Sequence, residues 1–343
     1  MNTAQYPAEV QSRFRSQLIN RRARLERTIA DLNQPADLLV LLSEVDAALS
    51  RLGDGSYGDC DVCQLPIAAD DLLANPTAPY CLCELSPERQ RALERDLTLA
   101  WRVQAALLPP ADLALPGWQT HYRYIPSGPV SGDYCDLVVT EGRRAGEFYF
   151  MLGDVSGKGV AASLLMAHLN ASLRAFARTG LAPQETLAEA NRLLAGSTLA
   201  SHYATLVCGR ASSSGEVEIA NAGHCQPLIV RSNGRIEALE ATGLPLGLAV
   251  PAEAGARYAA EKVCLSDGDS VVLYTDGVTE AADALDSQYG DERLRSLLAC
   301  CAGKSARDLV TRCLADVTAF LSGGALSDDL TILALYRSSR GSS

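Results

Sequence analysis

FYFMLGDVSGKGVAASLLMA, residues 148–167, joins a short apolar run to a helical pattern through a glycine-rich turn. Phe148 to Leu152 is too short for a core helix and is rich in aromatic residues, which predicts a buried strand. From Val160 to about Arg178 apolar residues return at the spacing of a helix face. Between the two stand Asp154 and three glycines, Gly153, Gly157 and Gly159, which let main chain approach a ligand closely.

The same junction of acid and strand recurs. Val271 to Thr275 predicts a strand that ends at Asp276-Gly277, and Ser327-Asp328-Asp329 precede one from Leu330 to Leu335. Asp133 and Asp136 precede another, Leu137 to Thr140. A single aspartate beside a strand is an ordinary turn residue. Four such junctions in one domain ask for more: if the strand ends converge, the carboxylates repel one another unless cations neutralise them. Oxygen donors of this kind suit Mg²⁺ or Mn²⁺, whereas the cysteines and histidines of this region are scattered and suggest no zinc. Two such ions about 3.5–4 Å apart can bridge a water, lower its pKa and assist in-line attack on phosphorus.

In chain order stand AWRVQAALLP, SGDYCD, GDVSGKGVAASLLMA, NAGHCQP, GLPLGL, LYTDGVTEA and SDDLTIL. Through these motifs the chain resembles, from about Glu94 to Arg337, the SpoIIE/RsbU branch of the metal-dependent protein phosphatase (PPM) superfamily. The resemblance implies an α+β fold, a two-sheet β-sandwich flanked by helices with two Mn²⁺ or Mg²⁺ at one end. It implies a protein serine/threonine phosphatase whose catalytic set is Asp154, Asp276 and Asp328. Asp154 would bridge both metals, the Val155 carbonyl would hold one of them, and Asp276 and Asp328 would bind the other. Asp133 would lie beside the site, acting through metal-bound water. Asp328 rather than Asp329 aligns with the family's ligand, and Ser131 stands where the branch usually has glycine.

Other residues carry less. Lys158 is either a contact for substrate phosphate at a helix start or a solvated loop lysine. His224 reads as a turn histidine bonded to main chain rather than as a general acid. No phosphate-gripping arginine is evident, and no histidine follows Asp154, so protonation of the leaving group is expected to fall to metal-bound water. The substrate implied is a phosphoserine or phosphothreonine protein, typically a STAS-type anti-sigma-factor antagonist, in bacterial partner-switching signalling.

Upstream, Phe14, Leu18, Leu25, Ile29 and Leu32 form one helical stripe and Leu38, Leu42, Val45, Leu49 and Leu52 another, predicting an α-helical hairpin. Its arginines (Arg13, Arg15, Arg21, Arg22, Arg24, Arg27) are expected on the solvated face. Cys60-x-x-Cys63 has the spacing of a tetrahedral zinc site, with Cys81 and Cys83 as the second pair. Leu49 to Leu85 resembles the DksA/TraR zinc-finger family, departing from it in the C-x-C spacing of Cys81 and Cys83 and in the lack of an acidic hairpin tip. Ser86-Pro87-Glu88 opens a further helix, stopped by Pro109-Pro110. Its stripe of Leu93, Leu97, Ala100 and Leu107 is suited to a coiled coil with a second copy. The expected domains are thus a hairpin with a small zinc-finger (1–86), a linker helix (87–110) and a phosphatase domain (111–338).

A net charge of −11 over 343 residues argues against nucleic acid as a partner. No apolar run approaching about 20 residues without charge stands out, so no membrane span is expected. Met1 to Gln11 lacks the pattern of a signal peptide, and the 11 cysteines read as reduced, which together predict a cytoplasmic protein. Two alternatives to an active phosphatase remain: a regulator that binds RNA polymerase through the DksA-like module, and a pseudophosphatase scaffold.

Overall fold

The structure is a computed structural model. It describes residues 6–30, 36–60, 65–79, 81, 87–140, 146–157, 159–197, 203–248, 258–322, 324, 326 and 328–338. The chain forms two compact units, Met1–Asp96 with Leu199–Ser201, and Leu97–Thr198 with His202–Ser343. The division falls inside a helix, α4 (Pro87–Leu107).

In the smaller unit the two apolar stripes form helices α1 (Ala8–Ala30) and α2 (Ala36–Asp54), and a short helix, α3 (Ala69–Ala74), follows. The spacing of apolar residues places Phe14 and Leu18 of α1 against Val45 and Ala48 of α2. Tyr57, Cys60, Ile67 and Leu72 complete this core. The segment after α2 is tied down by tyrosine hydroxyls: Tyr6 donates to the Ile67 carbonyl and Tyr57 to the Pro76 carbonyl, 2.8 Å away. Cys60 is fully buried, and its Sγ accepts from the Cys81 amide at 3.2 Å. Cys63 and Cys83 lie outside the described residues.

The larger unit is a sandwich of two antiparallel sheets. One has six strands in the order β1 (Asp112–Leu115), β2 (Trp118–Ile125), β11 (Leu330–Arg337), β10 (Ser270–Tyr274), β7 (Leu228–Val230), β8 (Ile236–Ala238). The other has five: β3 (Asp133–Val139), β4 (Glu147–Val155), β5 (Ala204–Ser212), β6 (Glu216–Ala222) and β9 (Glu261–Cys264). Helices α5 (Val160–Thr179) and α6 (Pro183–Ser197) cover the five-stranded sheet. The outer face of the six-stranded sheet is covered by α8 (Asp291–Cys300) and α9 (Ala306–Leu321), with the short α7 (Asp276–Thr279) after β10.

The alternation of strand residues explains the layers. Phe148, Phe150 and Leu152 point to the centre of the sandwich, where they meet Val207, Val271, Leu273, Leu333 and Leu335. Tyr149 and Met151 point the other way, onto Met166, Leu169 and Leu173 of α5. Helix α5, 20 residues long, is long and apolar enough to cross a membrane, contrary to the sequence expectation. Here it lays its apolar face on the sheet.

Two strands are longer than expected. β3 begins at Asp133 rather than at Leu137, and β4 runs through to Val155. The sequence predicts turn at these polar ends, since aspartate and glycine are common turn residues. Pairing overrides that preference: β3 and β4 stay in register from Asp133 opposite Asp154 to Val139 opposite Phe148.

Candidate active site

The alternation that builds the core also builds the site. Asp133 continues the inward row of Cys135 and Leu137; Asp154 continues that of Phe148, Phe150 and Leu152; Thr205 continues that of Val207. From the facing sheet, Thr275 continues the row of Val271 and Leu273, and Thr331 that of Leu333 and Leu335. The inter-sheet core therefore ends in a polar cap of two carboxylates and three hydroxyls.

Asp133 is the best-determined member. It is buried, and its Oδ2 accepts from the hydroxyls of Thr275 (3.1 Å) and Thr331. The Thr331 amide in turn donates to the Thr275 hydroxyl at 2.9 Å. These bonds stitch the two sheets together at the site. Burial, and then the negative charge of Asp154 across the ladder, push the Asp133 carboxyl well above the usual carboxylate range. The two threonine hydroxyls oppose that shift only in part.

Gly132 explains how the Asp154 carboxylate and the Val155 carbonyl are held together. A Cβ at this position would sit 2.8 Å from the Val155 oxygen and 3.0 Å from Asp154 Oδ1. Only glycine lets the main chain pass so close to both oxygens. Asp276 and Asp328 sit at the same end of the β10–β11 pair. A Cβ on Gly277 would collide with the Asp329 carbonyl, 1.9 Å away, and would lie 3.5 Å from the Asp328 carbonyl carbon.

Asp328 and Asp329 have different roles. Asp329 is nearly buried, and both its oxygens are engaged: Oδ1 by the amide (2.7 Å) and hydroxyl (3.0 Å) of Ser127, Oδ2 by the Gly132 amide (3.0 Å). It latches the loop before β3 to the start of β11. Asp328 is partly exposed, with Oδ1 accepting from the Asp329 amide at 2.9 Å. Of the two carboxylates, Asp328 is the more exposed.

The loop carrying Asp133 is gripped from a second side. Gln104, near the end of α4, donates from Nε2 to the Ser131 carbonyl (2.6 Å) and accepts from the Ser131 amide (3.0 Å). The Ser131 hydroxyl accepts from the Asp133 amide at 3.1 Å, a bond that a glycine at this position could not make. Asp136, one residue out of phase with the inward row, faces the helices. It forms a bidentate pair with Arg174 of α5, at 2.6 and 2.9 Å, and Arg174 also donates to the Leu107 carbonyl at the end of α4.

Among the described residues no three His, Cys, Asp or Glu side chains form a ready-made coordination shell. The donor set nevertheless fits hard divalent cations. It consists of oxygens alone, it includes a main-chain carbonyl cradled by Gly132, and it leaves a buried carboxyl under unrelieved repulsion. The residues that would hold Mn²⁺ or Mg²⁺ are Asp154, the Val155 carbonyl, Asp276 and Asp328, with Asp133 behind them. Lys158 lies outside the described residues.

The family model for Stage II sporulation protein E (SpoIIE) matches residues 144–338, more than half of the chain. The chain belongs to the SpoIIE family. Phosphoserine phosphatase RsbU of Bacillus subtilis (strain 168) is 27% identical over 254 residues, which cover 72% of either protein. Protein IcfG of Synechocystis sp. is 26% identical over 267 residues, covering 69% of this chain and 40% of IcfG. The chain thus spans about two fifths of the length of IcfG. Among solved structures, the SiaA-PP2C domain of Pseudomonas aeruginosa superposes with a TM-score of 0.62 at 19% identity, over 73% of this chain and 98% of that domain. The SpoIIE-family region therefore has the PP2C-like α+β fold, two antiparallel sheets flanked by helices.

Sequence reasoning missed Thr275, Thr331, Asp329 and Gln104. A signal for the threonines existed, since each stands two places beyond an inward apolar residue of its strand. His224 forms the expected turn, with its ring turned to the Tyr274 main chain; the contact of Nδ1 with the Thr205 hydroxyl was not expected.

Proposed function

We propose that this chain is a metal-dependent protein serine/threonine phosphatase. The observation that carries the reading is the pair Asp133–Asp154, opposed across β3–β4 at the end of the sandwich with the Val155 carbonyl beside it. When bound, two Mn²⁺ or Mg²⁺ would activate water and neutralise the phosphoryl oxygens. The protein's part is to hold the oxygens in place. Gly132 keeps Asp154 and Val155 together, and Thr275 and Thr331 keep Asp133 from turning away. Asp329 and Gln104 fix the loop between them.

The substrate is a phosphoserine or phosphothreonine on a regulatory protein, a STAS-type anti-sigma-factor antagonist in partner-switching signalling. The name of RsbU, a phosphoserine phosphatase, supports the phosphoserine part of this reading. The chain works in the cytoplasm and pairs with a second copy through the α4 stripe of Leu93, Leu97, Ala100 and Leu107, none of which is buried. The smaller unit is a DksA/TraR-like zinc module. Its cysteines Cys60 and Cys81 stand close together, the Cys81 amide donating to the Cys60 sulfur.

Hydrolysis of an aryl phosphate by the purified chain in Mn²⁺ tests the central reading. Asp154→Asn and Asp276→Asn should each abolish it while circular dichroism stays unchanged; full activity in either would refute the assignment. Mass spectrometry of the native chain should find one zinc per chain, and a native chain that carries no zinc would sink the zinc module.

A further inference from the structure

The motif Asn221-Ala222-Gly223-His224-Cys225 supplies no cation ligand, yet it is built with care at the edge of the polar cap. Asn221 is buried, and its side chain closes the turn on itself: Oδ1 accepts from the His224 amide at 2.8 Å, and Nδ2 donates to the His224 carbonyl at 3.1 Å. Thr242 clamps Asn221 from outside, its amide donating to the Asn221 carbonyl at 2.9 Å. Gly223 has φ +66°, and the Pro245 ring lies 2.5 Å from where a Cβ would be. A turn so constrained gives its next side chain one position.

That side chain is the His224 imidazole, 7% exposed. Its Nδ1 lies 2.8 Å from the Thr205 hydroxyl. Thr205 is the register partner of Asp154, and its Oγ1 is 3.4 Å from the Asp154 carbonyl oxygen. The other ring nitrogen, Nε2, is buried and turned to the Tyr274 main chain, two residues before Asp276, which makes a weak hydrogen bond to the ring. The ring thus stands between the strand that ends in Asp154 and the strand that leads to Asp276. Burial pulls the imidazole down to about 4, so it is neutral at physiological pH and adds no positive charge beside a cation site.

We infer that Thr205 and His224 are positioning residues that hold the Asp154–Val155 segment of one sheet against the Tyr274–Asp276 segment of the other. On one flank of the site the sheets are joined by Asp133 with Thr275 and Thr331. Thr205 and His224 are the tie on the opposite flank, beyond Asp154. Carboxylates carried on two separate sheets push apart when no cation is bound, and a tie on one flank alone would let them hinge. With both, the oxygens are held at one spacing before the cations arrive, which lowers the cost of binding.

This inference rests on the metal-dependent reading. The test is calorimetric titration of the full chain with Mn²⁺, alongside kcat and KM for an aryl phosphate and Tm without metal. Thr205→Val, nearly isosteric, should weaken Mn²⁺ binding by about tenfold, as loss of a supporting partner does. It should lower kcat at limiting Mn²⁺, leave KM for the aryl phosphate unchanged, and barely move Tm. His224→Phe should do the same, and the double variant should bind no more weakly than the worse single one, because the two act as one unit. Thr205→Ser should restore binding to within about twofold of the wild type. Wild-type Mn²⁺ affinity in Thr205→Val, or full additivity in the double variant, would overturn the inference and leave the phosphatase reading intact. Absence of Mn²⁺ binding in the wild type would overturn both.

Discussion

Asp328→Asn and Asp329→Asn form a pair of perturbations whose effects should be opposite in kind, although the residues are adjacent. Asp329 offers two oxygens to three donors, Ser127 N, Ser127 Oγ and Gly132 N. Asparagine has one oxygen. Turned towards Ser127, it leaves its NH₂ facing the Gly132 amide; turned towards Gly132, it abandons both Ser127 bonds. The milder outcome loses one charge-assisted bond and buries one unpaired donor, about 2–3 kcal/mol. At roughly 2–4 °C per kcal/mol for a domain of this size, Tm should fall by about 4–12 °C. Asp328 is partly exposed, and an asparagine oxygen there can still accept from the Asp329 amide. Asp328→Asn should therefore cost less than about 0.5 kcal/mol without metal, as surface changes do. Its damage should appear in Mn²⁺ binding, weakened at least about tenfold by loss of a charged oxygen donor. Differential scanning fluorimetry with and without Mn²⁺, followed by calorimetric titration at 15 °C, where both variants stay folded, separates the two. If Asp329→Asn keeps its Tm and loses Mn²⁺, while Asp328→Asn binds as wild type, the ligand assignment is reversed and the latch is wrong.

Three further outcomes are expected. Asp133 has a folded-state pKa raised by burial and by Asp154, so folding takes up a proton there. Its stabilising effect is complete below the unfolded value of about 3.9 and is lost as pH rises through the raised value. Asp133→Asn keeps an acceptor for Thr275 and Thr331, so in EDTA at pH 8 it should melt higher than the wild type, with a flatter Tm–pH curve; an unchanged curve would contradict this. Arg174→Leu strands the fully buried Asp136 and should cost about 3 kcal/mol in urea unfolding, the low end for a broken buried pair because Arg174 is 35% exposed. A loss below about 1 kcal/mol would show that the pair is screened by solvent. Gly132→Ala drives a methyl group against the Val155 oxygen and Asp154 Oδ1, and should weaken Mn²⁺ binding by about tenfold; unchanged affinity would refute the close approach.

Much of the site was legible because strands and helices write their faces into the sequence. Phe148 to Leu152 read as a buried strand, Val160 onward as a helix, and both are present in β4 and α5. Asp133 and Asp154 were also legible, but as turn residues beside strands. The structure puts both inside the ladder, because main-chain pairing, of Asp133 with β4 and of Asp154 with β3 and β5, outweighs the preference of a charged residue for a turn.

What the sequence determined by itself was local: the period-2 alternation, the glycines that admit close approach, and the order of motifs that resembles the SpoIIE/RsbU branch. Those depend on residues within a few positions of one another. What only the tertiary structure decided was which groups meet. Thr331 reaches Asp133 across 198 positions, Ser127 reaches Asp329 across 202, and Arg174 reaches Asp136 across 38. No spacing rule links such pairs, since packing one sheet on another sets their approach. The division of labour between Asp328 and Asp329 follows from the same cause: the first carboxylate stays partly open, while the second is occupied by donors contributed from a loop 200 residues away.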